Sequence, residues 1–216
     1  MAITTAMCTS FKVDLMFGRH HFAQSRTFTA TGASTQTWTG LSSLTGIAVG
    51  NLLSGTNVAA GTKVTDILSA TSIFVSKAST GAIGTVTMTG DTFKLALIKP
   101  GMAGTYNAAS TSYANITGNT DETTGTGYTA GGAALTNVDP TSTGTTAFTD
   151  FSPDPSWTSA SFSTVGGMIY NSTWTGPVQN PSISVHDFGG TQTVASGTFT
   201  AVMPVADATN AILRIA

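Results

Sequence analysis

The stretch Asp91-Thr92-Phe93-Lys94-Leu95-Ala96-Leu97-Ile98 decides the fold class. Phe93, Leu95 and Leu97 alternate with Lys94, Ala96 and Ile98, the period-two pattern of a half-buried to fully buried strand. Downstream, five more stretches read as strands: Thr146-Ala147-Phe148-Thr149-Asp150-Phe151, Met168-Ile169-Tyr170, Ile183-Ser184-Val185-His186-Asp187-Phe188, residues 197–203 and Ala211-Ile212-Leu213-Arg214-Ile215. Residues 100–145 are rich in turn signals such as Gly118-Asn119 and Gly131-Gly132. Antiparallel strands this short need two packed layers. Residues 91–216 are therefore expected to form the main domain, an antiparallel β-sandwich of jelly-roll or Greek-key type.

Upstream, residues 27–90 read differently. Gln36-Thr37-Trp38-Thr39, Lys63-Val64-Thr65-Asp66-Ile67-Leu68, Ser72-Ile73-Phe74-Val75-Ser76 and Thr85-Val86-Thr87-Met88-Thr89 are short β segments between Gly, Asn and Ser turns. That spacing predicts an inserted small β module, a sandwich or barrel in itself. Residues 1–26 supply an N-terminal helix and linker. Met7, Phe11 and Leu15 recur at i, i+4 and i+8, with Cys8 and Val13 near the same stripe. Thr4 or Thr5 is placed to cap this helix and Gly18 to end it. A helix of about 12 residues is marginal alone. Met7, Phe11 and Leu15 are thus expected to pack on a sheet or against a neighbouring subunit.

Composition agrees with a mainly β chain. Of 216 residues, 42 are Thr, 24 are Gly and only one, Glu122, is Glu. An all-α protein needs Glu, Lys, Gln, Arg and Leu in quantity. Charged residues are only 8% and the net charge is −2, yet 18 residues are aromatic, which is not a disordered composition. Mean hydropathy is +0.18. A surface this poor in charge favours association, so the composition reads as that of an assembly subunit.

The eight Lys and Arg are scattered, without the basic stripe that a phosphate backbone requires. One cysteine, Cys8, leaves no internal disulfide and no paired-cysteine metal motif. The first 15 residues lack a basic region followed by an unbroken apolar run, and no apolar run approaches the ~18 residues of a membrane helix. Synthesis in a cytoplasm, without a membrane span, is the expectation.

Candidates for chemistry are few. His186 and Asp187 are adjacent on a strand, where their side chains point to opposite faces and make no base–orienter pair. His20 and His21 follow the helix end, where a histidine suits the helix dipole. Asp121, Glu122, Asp139, Asp150, Asp154 and Asp187 are the carboxylates available for paired acid–base work or for calcium, but the spacing matches no EF-hand loop. Gly125-Thr126-Gly127-Tyr128-Thr129-Ala130-Gly131 lacks the Lys-Ser/Thr and the helix of a phosphate loop and reads as a turn or bulge. Trp38, Trp157 and Trp174 are either buried anchors or a sugar platform. No catalytic, cofactor-binding or metal-binding set is expected.

The opening Met1-Ala2-Ile3-Thr4-Thr5-Ala6-Met7-Cys8-Thr9-Ser10-Phe11-Lys12 and the strand Asp91-Thr92-Phe93-Lys94-Leu95-Ala96-Leu97 resemble a family of small structural proteins from tailed bacteriophages. Residues 125–132, Pro155-Ser156-Trp157-Thr158, residues 167–171, Asp187-Phe188-Gly189-Gly190 and Gly197-Thr198-Phe199-Thr200 fit the same pattern. The family pattern runs almost directly from the first helix to the Asp-Thr-Phe-Lys strand, whereas 64 residues, 27–90, intervene here. That stretch, with Ser54-Gly55-Thr56, Ala60-Gly61-Thr62 and Ser69-Ala70-Thr71, is similar to a small β module that recurs in phage virion proteins. The resemblance implies a non-enzymatic virion component, assembled in the host cytoplasm. A capsid decoration or head-fibre protein is the first reading. A tail or neck component, as a fibre base or receptor-contacting accessory, is the alternative. A polysaccharide-binding or polysaccharide-degrading protein is the remote one. The partners implied are copies of itself, guessed as a trimer, and virion proteins such as the major capsid protein or tail proteins.

Overall fold

The computed structural model describes residues 2–174 and 176–216. The chain is mainly β, 44% strand and 6% helix, and its sheets are antiparallel. In chain order the elements open with β1 (Ala6–Met7), α1 (Thr9–Met16), β2 (Arg26–Thr29), β3 (Thr37–Trp38), β4 (Leu52–Gly55), β5 (Thr62–Ser69), β6 (Ser72–Val75) and β7 (Thr85–Thr89). They continue with β8 (Phe93–Ile98), α2 (Ala114–Gly118), β9 (Ala133–Leu135), β10 (Thr141–Thr143), β11 (Thr146–Thr149), β12 (Ser156–Asn171), β13 (Ser182–Thr200) and β14 (Leu213–Ile215). Two compact units result, Met1–His20 with Asp91–Ala216, and His21–Gly90.

The larger unit holds a five-stranded sheet in the order β1-β13-β12-β8-β9 and a three-stranded sheet in the order β10-β11-β14. β8 is interior to the first sheet, with Leu95 opposite Ile169 of β12 and also opposite Ala133 of β9. Five of its six residues are buried and Lys94 alone is not. Full burial of Phe93, Leu95, Leu97 and Ile98 stabilises by roughly 1.5–3 kcal/mol per side chain.

β12 and β13 run on where the sequence suggests breaks. Ser, Thr and Gly between the apolar runs are taken into the strands, and bulges absorb the shifts in register. Thr164 faces Gln192 and Gly166 faces Asp187, so one β12 residue spans four on β13. Gly189 (φ 74°) and Gly190 (φ 145°) supply the left-handed backbone this bulge needs. Residues 201–203, expected as strand, lie beyond the end of β13.

The N-terminal helix is shorter than its periodicity suggests. α1 starts at Thr9, with Cys8 extended at its N-cap, and Met7 lies in β1 opposite Ser184. Neither Thr4 nor Thr5 caps the helix. An isolated short helix is marginal, and the edge of β13 offers residues 6 and 7 ladder hydrogen bonds instead. Phe11 is fully buried, Met7 and Leu15 are half-buried, and Val13 is exposed rather than part of the stripe.

The smaller unit is one six-stranded antiparallel sheet, β2-β7-β4-β5-β6-β3. Reciprocal hydrogen bonds between Thr31 and Thr39, at 2.7 and 2.9 Å, join the chain after β2 to the chain after β3 and bring the sheet round on itself. Trp38, Leu53, Ile73, Val86 and Met88 fill the interior. The Trp38 indole N–H donates to the Thr35 carbonyl at 3.1 Å, so the ring is buried without an orphaned donor.

The chain leaves the larger unit after His20 and re-enters it at Asp91. The Asn171 side-chain amide nitrogen lies 2.6 Å from Asp91 Oδ2 and 3.0 Å from His20 Nδ1, so the two crossing points are neighbours. Within the smaller unit the Gly90 N–H donates to Ser25 Oγ at 3.1 Å, which closes its own ends. Joining His20 to Asp91 through a short Gly-Ser linker, with residues 21–90 removed, should therefore leave a cooperatively unfolding β protein by circular dichroism. Phe11→Asp in the same deletion chain should abolish that transition, because an unpaired charge would replace a fully buried ring.

Candidate functional site

Asp121 and Glu122 are adjacent carboxylates, and the structure gives each its own cage. Thr120 takes a left-handed conformation (φ 54°) after α2, and the chain then runs beside the end of β8. The Lys99 N–H donates to the Asp121 carbonyl and the Thr123 N–H to the Leu97 carbonyl, both at 2.9 Å. Successive side chains in such an extended segment point to opposite faces, so the two carboxylates diverge.

Asp121 is fully buried. It accepts the Ala103 N–H at 2.8 Å, the Gly104 N–H at 2.7 Å and the Tyr106 hydroxyl at 2.6 Å. Burial acts to raise its pKa, but these three donors and the nearby Lys99 charge outweigh it and hold the carboxyl below its ordinary 3.8. Glu122 accepts the Tyr113 hydroxyl at 2.5 Å on one oxygen, and the Tyr128 hydroxyl at 2.8 Å with the Gly131 N–H at 2.6 Å on the other. Tyr113 stacks on Tyr170 at 4.6 Å, and the Tyr170 hydroxyl donates to the Gly131 carbonyl at 2.8 Å. Burial, with the Glu122 charge beside it, pushes the Tyr170 phenol up to about 12. Donors of this kind occupy the oxygens that a cation or a substrate proton would need. Among the described residues no group of three His, Cys, Asp or Glu side chains is close enough to hold a metal.

The other acidic residues do similar work. Asp150, buried and raised above its ordinary pKa by that burial, accepts the Phe151 N–H at 2.7 Å and the Ile212 N–H at 3.0 Å. It thereby pins the segment that leads into β14. Asp154 accepts the Met203 N–H at 2.8 Å, and Asp207 accepts those of Thr209 and Asn210, both at 2.7 Å. Asp187 accepts the Gly189 N–H at 2.9 Å, inside the β13 bulge. Asp139 lies in the loop before β10.

The histidines do not assemble. His186 Nε2 lies 2.9 Å from Ser184 Oγ, two residues back on the same strand face. Burial lowers its pKa to about 4, so the ring is neutral at physiological pH. His20 is buried with Phe11 at 5.1 Å and Trp174 at 6.2 Å between ring centroids, rather than set at a helix terminus. The helix ends at Met16, too early for a dipole contact with His20 or His21. His21 belongs to the other unit.

The glycine-rich stretch is a packing device. A Cβ on Gly125 would lie 2.3 Å from the Ser161 carbonyl oxygen, and one on Gly132 would lie 1.9 Å from that of Leu95. These glycines let the loop lie directly on β12 and β8. Trp157 is buried, 6.1 Å from Tyr128 and 5.7 Å from Phe199, and Trp38 is buried in the smaller unit, so neither offers an open sugar platform.

One feature escaped the sequence reading. An open cavity of about 280 Å³ is lined by Leu95, Ile169, Val202, Met203, Pro204 and Ile212, with Asp187 and the neutral His186 also on its wall. Its residues, Thr5 among them, come from six separate stretches of chain, a convergence that no local pattern encodes.

Asp121→Asn should lower stability at pH 7 by about 2–3 kcal/mol, since charged-group hydrogen bonds are lost from a buried site. The folded-state pKa is depressed, so Asp121 contributes fully above 3.8 and its contribution vanishes as pH falls through the folded value. Denaturant titrations of the two proteins should accordingly converge at low pH. His186 follows the same sign. Its contribution is present above 6.5 and is lost as pH falls toward 4, and its imidazole NMR shifts should stay those of the neutral ring until pH approaches 4.

No protein-family model, curated protein or solved structure matches this chain.

Proposed function

We propose that this chain is a non-enzymatic structural protein of a bacteriophage virion, with capsid decoration or head fibre as its place on the particle. The observation that carries the reading is how its reactive groups are used. Asp121, Glu122 and Asp150 all hold backbone N–H groups, and two of them hold tyrosine hydroxyls, instead of facing one another across a cleft. A carboxylate used in this way braces loops against a sheet.

The surface supports the same reading. A chain with only 18 ionisable Lys, Arg, Asp and Glu residues exposes Met16, Phe17, Val202, Val205 and Ile215. Exposed apolar groups on a charge-poor body suit a subunit covered by copies of itself or by other virion proteins. The resemblance of residues 1–12, 91–97 and the later stretches to small structural proteins of tailed phages supplies the class of particle. The small β unit His21–Gly90 fits an inserted module, since its ends meet and its core is its own.

Quantitative mass spectrometry of purified particles of the phage that encodes the chain tests this. Copies on the order of hundreds per particle place it on the head, and about six to twelve place it at the neck or tail, following the symmetry of those parts. Absence from the particles overturns the virion reading.

A further inference from the structure

We infer that copies of this chain join head to tail, with the end of α1 of one copy seated in the Val202–Met203 cavity of the next. The inference rests on the reading of the chain as a self-assembling virion subunit, and it names the surface used.

The knob is the C-terminal end of α1. Met16 is 89% exposed and Phe17 67%, the extremes of a short helix whose opposite side buries Phe11. Phe17 is not loose. The Arg19 guanidinium lies 4.5 Å from its ring centroid, and Arg19 Nη1 is held by Asp14 at 2.7 Å. The aromatic group is thus presented in a fixed pose, which lowers the ordering cost of docking.

The receptor is the cavity of about 280 Å³. A cavity of roughly 150 Å³ accommodates benzene, so this one has room for a phenyl ring with part of a methionine side chain. Most of its wall is apolar, as that ring requires, with Thr5, His186 and Asp187 as its polar members. Two further features favour a second copy over another occupant. Charge is complementary in balance: Arg19 is paired with Asp14, so Lys12 leaves the knob one net positive charge, whereas Asp187 lines the cavity and Asp154 holds the Met203 N–H beside it. Position is complementary too. The chain reaches α1 past Ile183, where the Cys8 N–H bonds, while the cavity begins at His186 and extends the other way along β13. Phe17 does not line its own chain's cavity. A knob and a hole on different parts of one surface make a heterologous contact, which closes into a ring where its rotation returns on itself and runs on as a filament where it does not.

The test uses the full chain and two exposed positions. Phe17→Ser removes the knob, and Val202→Asp, at a site 79% exposed, places a carboxylate at the cavity mouth. Circular dichroism verifies that both variants remain folded. By sedimentation velocity over a concentration series, the unaltered chain should associate beyond a dimer, and each variant alone should be monomeric, with association weakened by about tenfold or more. An equimolar mixture of the variants should then give a dimer and nothing larger, because one intact knob and one intact cavity remain per pair. A monomeric unaltered chain, variants that assemble like it, or a folded mixture that stays monomeric would each overturn the inference. The virion reading is decided separately by copy number in particles.

Discussion

Holding two adjacent carboxylates, Asp121 fully buried and Glu122 half-buried, is the constraint around which the larger unit is organised. An uncompensated charge in a protein interior costs several kcal/mol, so Asp121 and Glu122 dictate what surrounds them. Residues 103 and 104 must aim their N–H groups at Asp121, and Tyr106 must be buried to reach it. Glu122 sets an equal demand on Tyr113, Tyr128 and Gly131. These donors span residues 103–131, a part of the chain whose one regular element is the short helix α2. The carboxylates give that stretch the definition that strand pairing gives elsewhere, and it is tied to β8 through residues 121 and 123.

The fold class and several elements are legible in the sequence because they follow from local periodicity. Thr85–Thr89 and Phe93–Ile98 have the bounds that alternation suggests. β12 and β13 are not legible at full length. Their outer halves are rich in Ser, Thr and Gly, and what keeps them extended is the partner strand, with bulges at Gly189 and Ser196 that have no sequence period. The Met7-Phe11-Leu15 spacing misleads for a related reason. Residues 6 and 7 have an available sheet edge, and pairing there outweighs one more turn of a marginal helix.

The candidate chemistry is legible only in its negative form. That His186 and Asp187 diverge follows from strand geometry alone. That Asp121 and Glu122 are caged does not, because their donors are backbone amides and tyrosines up to 18 residues distant, at positions that no motif marks. The cavity beside β13 is less visible still. It forms where the chain after β13 returns across Leu95 and Ile169, and Asp154 fixes that return through the Met203 N–H.

These features bear on one another through charge. A protein that spends its few carboxylates on internal backbone donors has few left to keep its surface apart from other surfaces. Asp121 and Asp150 are fully buried, and Glu122 is engaged on both oxygens. The outward charge is therefore smaller than the formal count suggests, and the net charges near the two apolar features are unlike: Lys12 and the Arg19–Asp14 pair near Phe17, Asp187 near Met203. Over distances beyond about 10 Å such exposed charges are screened by salt at ordinary ionic strength. They act at contact, where they select orientation, while the apolar groups supply most of the affinity. Braced loops and a depleted surface charge are thus two consequences of one allocation of charged residues.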